Sequence, residues 1–147
     1  MTTQTSVTPT ARIEQQVPIQ VRLAAAWASF MCLYIYVDVL GFFKPGAVAG
    51  ILEGKVWEFD ISQPFFVSAL AASGVPTMMI LLSTTLPARA NRITNLVVAT
   101  LLTPWMAFNL VGGDWPYYHG LGFALELILL VFILRSAQKW APGRGTA

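Results

Sequence analysis

The stretch GFALELILLVFILR, residues 122–135, is an apolar run that contains one carboxylic acid. Eleven of its first thirteen residues are apolar, and Glu126 lies among them. Such a run predicts a membrane-spanning helix, because about 20 residues with a rise of about 1.5 Å each cross a hydrocarbon core of about 30 Å. The stretch therefore indicates the fold class and poses the question of why an ionisable group lies within it.

The composition of the whole chain indicates the same environment. Of the 147 residues, 56% are hydrophobic and 11% are charged, whereas soluble domains carry about 25% charged residues. A soluble helical bundle is disfavoured, because so few charges would leave its surface poorly hydrated. The net charge of +2 gives no indication of nucleic-acid binding. With one cysteine, Cys32, and one histidine, His119, the chain has no pattern for an internal disulfide or a Cys/His metal cluster.

Four apolar segments predict an all-α, four-helix transmembrane bundle. Their continuous apolar character, without alternation every two residues, favours helices over strands. The expected order is a disordered tail at 1–22, spans at 23–43, 64–86, 93–111 and 117–135, an outer loop at 44–63, a cytoplasmic loop at 87–92, an outer turn at 112–116 and a tail at 136–147.

Basic residues predict the orientation of these spans. Seven lie in the segments assigned to one side, and two lie in those assigned to the other. The positive-inside rule therefore places both termini in the cytoplasm, which predicts a multi-pass membrane protein. Arg89 and Arg92 are interpreted as a basic cytoplasmic loop rather than an anion-binding turn. Trp27 is expected at the inner membrane interface.

The outer loop is long enough to contain structure of its own. Val48, Ile51 and Leu52 follow the i, i+3, i+4 spacing of a short helix on the bilayer surface, which Gly54 is expected to end. Ser62 is expected to cap the second span, with Pro64 in its first turn.

Glu126 requires a special environment if its segment crosses a bilayer. A charge at the centre of a span costs about 2.5–3.5 kcal/mol on the insertion scale, whereas each Leu, Ile, Val or Phe returns about 0.3–0.6 kcal/mol. The helix therefore still inserts, but no Lys or Arg lies in the interior of a predicted span to neutralise the carboxylate, since Arg135 is the last residue of the fourth. We expect Glu126 to be protonated or to lie in a polar, watery pocket.

Other polar or helix-distorting residues are predicted near the depth of Glu126. On the remaining spans these are Tyr34, Ser73, Thr77, Thr100 and Thr103, with Pro76 and Pro104. A second group lies about 7–10 Å further out and consists of Asp38, Asn109 and His119. If the helices turn these residues inward, they form a partial polar ladder from the outer surface to the bilayer centre.

Two hypotheses follow for this ladder. In the first, Asp38 and Glu126 bind a proton, a cation or a small polar solute that the protein moves or senses, with His119 near the entrance. Tyr34 and Asn109 are further candidates for this binding. In the second, the protein is an accessory subunit in which the acids are structural hydrogen bonders, each worth about 0.6–2 kcal/mol.

Catalytic and cofactor-binding motifs are absent from the sequence, including those of serine hydrolases, zinc proteases and nucleotide-binding proteins. We therefore expect a non-enzymatic protein without a cofactor or metal site; a membrane oxidoreductase component is the third hypothesis. The expected partners are the lipid bilayer and either further copies of the chain or another membrane protein, and not nucleic acid.

Short segments along most of the chain also carry a resemblance. They are LYIYVDVL (33–40), PG (45–46), GK (54–55), LSTTL (82–86), NRITN (91–95), LELILL (125–130) and KW (139–140). In their order and spacing, the chain resembles a family of small, uncharacterised, four-span bacterial membrane proteins. The resemblance implies a fold and a topology but no mechanism. The general layout is similar to that of DoxX-like proteins, although no motif of that family is present.

Overall fold

Helices form most of the structure, a computed structural model that describes residues 17–56, 58–108, 110 and 115–140. The elements are α1 (Ile19–Gly41), α2 (Ala47–Leu52), β1 (Lys55–Val56), β2 (Phe59–Asp60), α3 (Gln63–Thr85), α4 (Ala88–Phe108) and α5 (Pro116–Lys139). Most of the tail predicted at 1–22 lies outside the described residues, as do Asn109, most of the turn predicted at 112–116 and residues 141–147.

The four long helices pack side by side. Helix α1 packs against α3 and α5, and α5 packs against α4, whereas α3 and α4 share a smaller contact. The order around the bundle is therefore α3, α1, α5, α4. Following the predicted orientation, we call the end that carries Ile19, Thr85 and Lys139 the inner end, and the end that carries Gly41 and Pro116 the outer end.

Three of the described helices, α1, α3 and α5, are long and apolar enough to cross a membrane. The sequence predicts four such spans, and α4 is the helix that does not meet the same criterion. Its 21 residues are sufficient in length, but its first two turns carry Arg89, Asn91, Arg92 and Asn95. These polar side chains lower its mean hydropathy, because α4 begins before the predicted span does.

The connection between α3 and α4 is shorter than the sequence predicts. Helix α4 begins at Ala88, where the sequence predicts a loop through residue 92. The N–H of Asn91 donates to the carbonyl oxygen of Pro87 at 2.9 Å, so the helical hydrogen bonds begin directly after the proline. Arg89 and Arg92 therefore lie on the first turns of a helix, which corrects their assignment to a loop.

The segment between α1 and α3 combines expected and unexpected features. Gly54, with a φ of +82°, follows α2, and the hydroxyl oxygen of Ser62 accepts a hydrogen bond from the N–H of Phe65 at 3.3 Å. The expected cap of α3 by Ser62 is confirmed. The antiparallel pair of β1 and β2, with Lys55 opposite Asp60, was not predicted. Two-residue strands are too short to show an alternating pattern.

The inner half of the bundle contains a closely packed core. Its largest fully buried apolar side chains are Trp27, Phe30, Leu23, Met79, Leu130 and Ile133. Trp27 is wrongly predicted at the membrane interface, since its exposed fraction is 0%. Its ring packs edge-on against Phe30, with 5.8 Å between the ring centres. A buried indole needs an acceptor for its N–H, and Asn95 provides one.

Candidate functional site

Two acids on neighbouring helices define the candidate site. Glu126 is 6% exposed and belongs to the buried face of α5, which also includes Gly122 and Leu130 one turn away on either side. Asp38 lies near the outer end of α1 and is more exposed. The two carboxyl groups are close enough to interact electrostatically. The packing of α1 against α5 therefore brings together two acids that are distant in the sequence.

A layer of polar and aromatic side chains surrounds the pair. The hydroxyl of Tyr34 on α1 interacts with the side chains of Ser73 on α3 and Trp105 on α4, and it lies within electrostatic range of both acids. We call Tyr34, Asp38, Ser73, Trp105 and Glu126 the carboxylate layer. All four long helices contribute to it. Trp105 was not predicted, because an aromatic residue within an apolar span resembles an ordinary lipid-facing side chain.

The carboxylate layer contains no neutralising partner among the described residues. The electrostatic neighbour of Glu126 is another acid, Asp38, and no cation contributes to either of them. Within the described part of the chain, neither carboxyl group has a hydrogen-bond partner. Every fully buried polar side-chain atom there does have one, so the Glu126 oxygens retain some accessible surface. The pair can therefore accept a proton, a cation or the hydrogen-bond donors of a small solute.

The outer ends of α1 and α5 are held together beside this layer. The hydroxyl of Tyr118 donates to the carbonyl oxygen of Val37. A Cβ atom at Gly122 would lie 3.0 Å from Cγ2 of Val37, so glycine permits the close approach of the two helices. This contact fixes the spacing between the helices that carry Asp38 and Glu126.

His119 lies at the outer rim, where it contacts a lysine. Nζ of Lys44 is 3.2 Å from Nε2 of His119, and in this contact the ammonium group donates and the imidazole accepts. The histidine is thus paired with the loop that follows α1, and the structure shows no contact between it and Glu126. Its predicted role near the entrance stays a prediction.

The other residues predicted for the polar ladder differ in exposure and in their hydrogen bonds. Thr100 is exposed, as is Pro104, whereas Pro76 is buried within α3. The hydroxyl of Thr103 donates to the carbonyl oxygen of Ala99 at 2.9 Å, and that of Thr77 donates to Ser73 at the same distance. These threonines bond to the preceding turn of their own helix, as threonines in helices often do. Their contribution to the ladder stays a prediction, and Asn109 lies outside the described residues.

A second polar cluster, which was not predicted, lies in the inner half of the bundle. Nε1 of Trp27 donates to Oδ1 of Asn95 at 2.7 Å, and Nδ2 of Asn95 donates to Oδ1 of Asn91 at 2.7 Å. Nδ2 of Asn91 donates to the carbonyl oxygen of Ser83 at 2.6 Å. We call these four residues the asparagine network. It connects α1, α3 and α4, and its signal in the sequence is the i, i+4 spacing of the two asparagines.

Arg92 connects the start of α4 to the end of α5. Its Nε donates to the carbonyl oxygen of Ala137 at 3.1 Å, and an Nη donates to that of Gln138 at 3.3 Å. The last carbonyl groups of a helix lack partners within it, and a cation is favourable at that end. Arg92 therefore caps α5.

Arg92→Ala is expected to lower the free energy of unfolding by about 1–2 kcal/mol, because two carbonyl groups lose a charged donor. Arg92→Lys should recover only part of this loss, since an ammonium group lacks the planar fork of a guanidinium. Arg89→Ala is the control, because Arg89 lies one turn away and is exposed. Denaturant titration of the purified protein measures the difference. Equal losses at the two positions would contradict the capping role of Arg92.

Among the described residues, no group of three or more His, Cys, Asp or Glu side chains could hold a metal ion.

Comparison with known proteins identifies a family. Residues 13–145 match the family of unknown function DUF6326, so the chain belongs to that family. The expected membership of an uncharacterised family is confirmed, and the bacterial origin and the four spans stay predictions. No curated protein and no solved structure matches the chain.

Proposed function

We propose that this member of DUF6326 is a non-enzymatic membrane protein that binds a proton or a small cationic solute at Asp38 and Glu126, and that senses or moves it. The observation that carries the proposal is the pairing of these two acids on apolar helices, with no cation beside either among the described residues. A bare carboxylate is costly in a low-dielectric environment. A bound proton or cation lowers that cost.

The proposal includes four spans, with α4 as the fourth. Helix α4 packs against α5, and its 21 residues extend over about 31 Å. Large apolar side chains of α4, such as Val97 and Leu101, are exposed at the surface of the bundle, which suits contact with lipid. Its polar first turns then lie at the cytoplasmic surface of a bacterial plasma membrane, with both chain termini on that side.

Access to the acids from the outer side is the most consistent arrangement. Towards the inner end, Trp27 and Phe30 are fully buried, and the asparagine network adds a satisfied polar layer. Towards the outer end, Asp38 is exposed. These features favour a site that its ligand enters and leaves from one side. They therefore favour binding or sensing of the ligand, rather than its passage along a continuous path through the protein.

Infrared difference spectroscopy on protein in liposomes tests the proposal. Lowering the external pH should produce a protonated-carboxyl band in the wild type, and Glu126→Gln or Asp38→Asn should remove at least half of it. Glu58→Gln, at an exposed acid of the outer segment, is the control and should leave the band in place. A pH-sensitive dye trapped in the same liposomes distinguishes proton movement from binding alone.

The alternative function is that of an accessory subunit whose acids only fasten helices. If both neutral variants leave the infrared band and the dye response of the wild type unchanged, the proposal is wrong. A loss of detergent stability in those variants, without a change in either signal, would support the accessory role. Further copies of the chain or another membrane protein would then be the partner to identify.

A further inference from the structure

A groove on the inner half of the bundle combines an apolar floor with a basic end. It encloses about 960 Å³ between the start of α1 and the second half of α5. Ala124, Ile128 and Val131 line its length, and Arg135 and Lys139 follow on the same side of α5. From Ala124 to Lys139 the helix rises about 22 Å. The groove is thus long, mostly apolar and charged at one end.

Three cations converge at that end from two helices. Arg22 comes from the first turn of α1, and Arg135 and Lys139 are one turn apart on α5. The guanidinium of Arg22 lies over the ring of Phe132, 5.6 Å from its centre, so its position is supported by an aromatic face. The described lining includes Ser136 and Trp140 but no acid. An anion at this end would therefore meet three positive charges and no acidic side chain of the described lining.

We propose that this groove binds an anionic glycerophospholipid of the inner leaflet. The phosphate group lies among Arg22, Arg135 and Lys139, the hydroxyl of Ser136 adds a donor, and one acyl chain follows the apolar floor towards Ala124. Basic pockets between helices on the cytoplasmic side of membranes suit such headgroups. The charge complementarity and the apolar length of the groove specify a lipid, since a free phosphate would leave the floor unoccupied.

This inference rests on the orientation in the proposed function but not on its acids, because the groove and the carboxylate layer share no residue. It needs α1 and α5 to meet the bilayer, and both are long and apolar enough to do so. A lipid in the groove would join the start of α1 to the end of α5.

The experiment uses the full chain in a mild detergent. Phosphatidylglycerol and phosphatidylcholine with identical acyl chains are added separately, and native mass spectrometry counts the lipids that remain bound while thermal unfolding gives the Tm. Phosphatidylglycerol should be retained and should raise the Tm by several degrees, whereas phosphatidylcholine should do neither. The triple variant Arg22→Ala, Arg135→Ala, Lys139→Ala should bind phosphatidylglycerol at least tenfold more weakly.

Two control variants distinguish the contribution of the three cations to lipid binding from that of the apolar floor. Lys55→Ala with Arg89→Ala removes exposed cations outside the groove and should retain the lipid. Ala124→Trp keeps all three cations but obstructs the floor from an exposed position, and it should weaken retention. Glycerol phosphate, which has the headgroup without acyl chains, should leave the Tm unchanged.

Three results would overturn the inference. One is equal retention of the two lipids, and another is wild-type retention by the triple variant. The third is a shift in Tm with glycerol phosphate as large as that with the lipid, which would identify a free-anion site.

Discussion

Asn95→Ala is expected to lower the free energy of unfolding by about 2–3 kcal/mol, a large fraction of the stability of a small protein. Asn95 is fully buried and accepts from Trp27 while it donates to Asn91. Its removal leaves the indole N–H of Trp27 without this acceptor in the core. A buried donor without a partner costs about 1–3 kcal/mol. Single polar contacts between membrane helices average only about 0.6 kcal/mol, so the predicted loss reflects the whole network.

Thermal unfolding in detergent, and titration with a denaturing detergent, measure this effect. Thr100→Ala is the matched control on the same helix, because Thr100 is exposed. Trp27→Phe removes the N–H group together with part of the indole, so its loss of stability includes a cavity in the core as well as the hydrogen bond. The double variant should be more stable than the sum of the two losses predicts, because both changes break the same hydrogen bond.

Additive losses in that cycle would show that Trp27 and Asn95 act independently. A loss in Asn95→Ala no greater than that in Thr100→Ala would contradict the structural role of the network.

The sequence predicts where the helices lie along the chain more accurately than it predicts which face of each helix is buried. Long apolar runs predict α1, α3 and α5, because the length of such a run reflects the thickness of a bilayer. In lipid, however, the outer face of a helix is as apolar as its buried face. The apolar character of a residue such as Trp27 therefore does not indicate whether it faces the lipid or the interior of the bundle. The sequence predicts Trp27 at the membrane interface, although it is fully buried.

Polar residues indicate the buried face of a helix more clearly, but only where their hydrogen-bonding groups need partners on another helix. Glu126 and Asn95 are both buried, as their chemistry within an apolar span suggests. Thr100 and Thr103 carry no such information, since a hydroxyl can bond to its own helix. Trp105 joins the carboxylate layer through the packing of α4, which the spacing of residues along the chain does not reveal.

Glu126→Leu is expected to stabilise the protein by about 1–3 kcal/mol while it abolishes the infrared response to pH. Leucine has a similar size and favours an apolar span, and replacing buried ionic groups by apolar residues is often stabilising. The change also relieves Asp38 of an acidic neighbour. A residue that costs stability at its own position is characteristic of a functional site.

Whether Glu126→Leu raises or lowers the free energy of unfolding distinguishes the two hypotheses for the acids. If Glu126 served only to fasten helices, leucine would remove its hydrogen bonds and lower the stability by about 0.6–2 kcal/mol. Glu126→Gln is the isosteric control: it keeps the shape and the polar character but cannot ionise, so it should lose the infrared response without the gain in stability. The same unfolding titration applied to wild type, Glu126→Leu and Glu126→Gln decides the matter. A less stable Glu126→Leu would indicate that the carboxyl group holds the bundle together, and the proposed binding of a proton or cation would lose its physical basis.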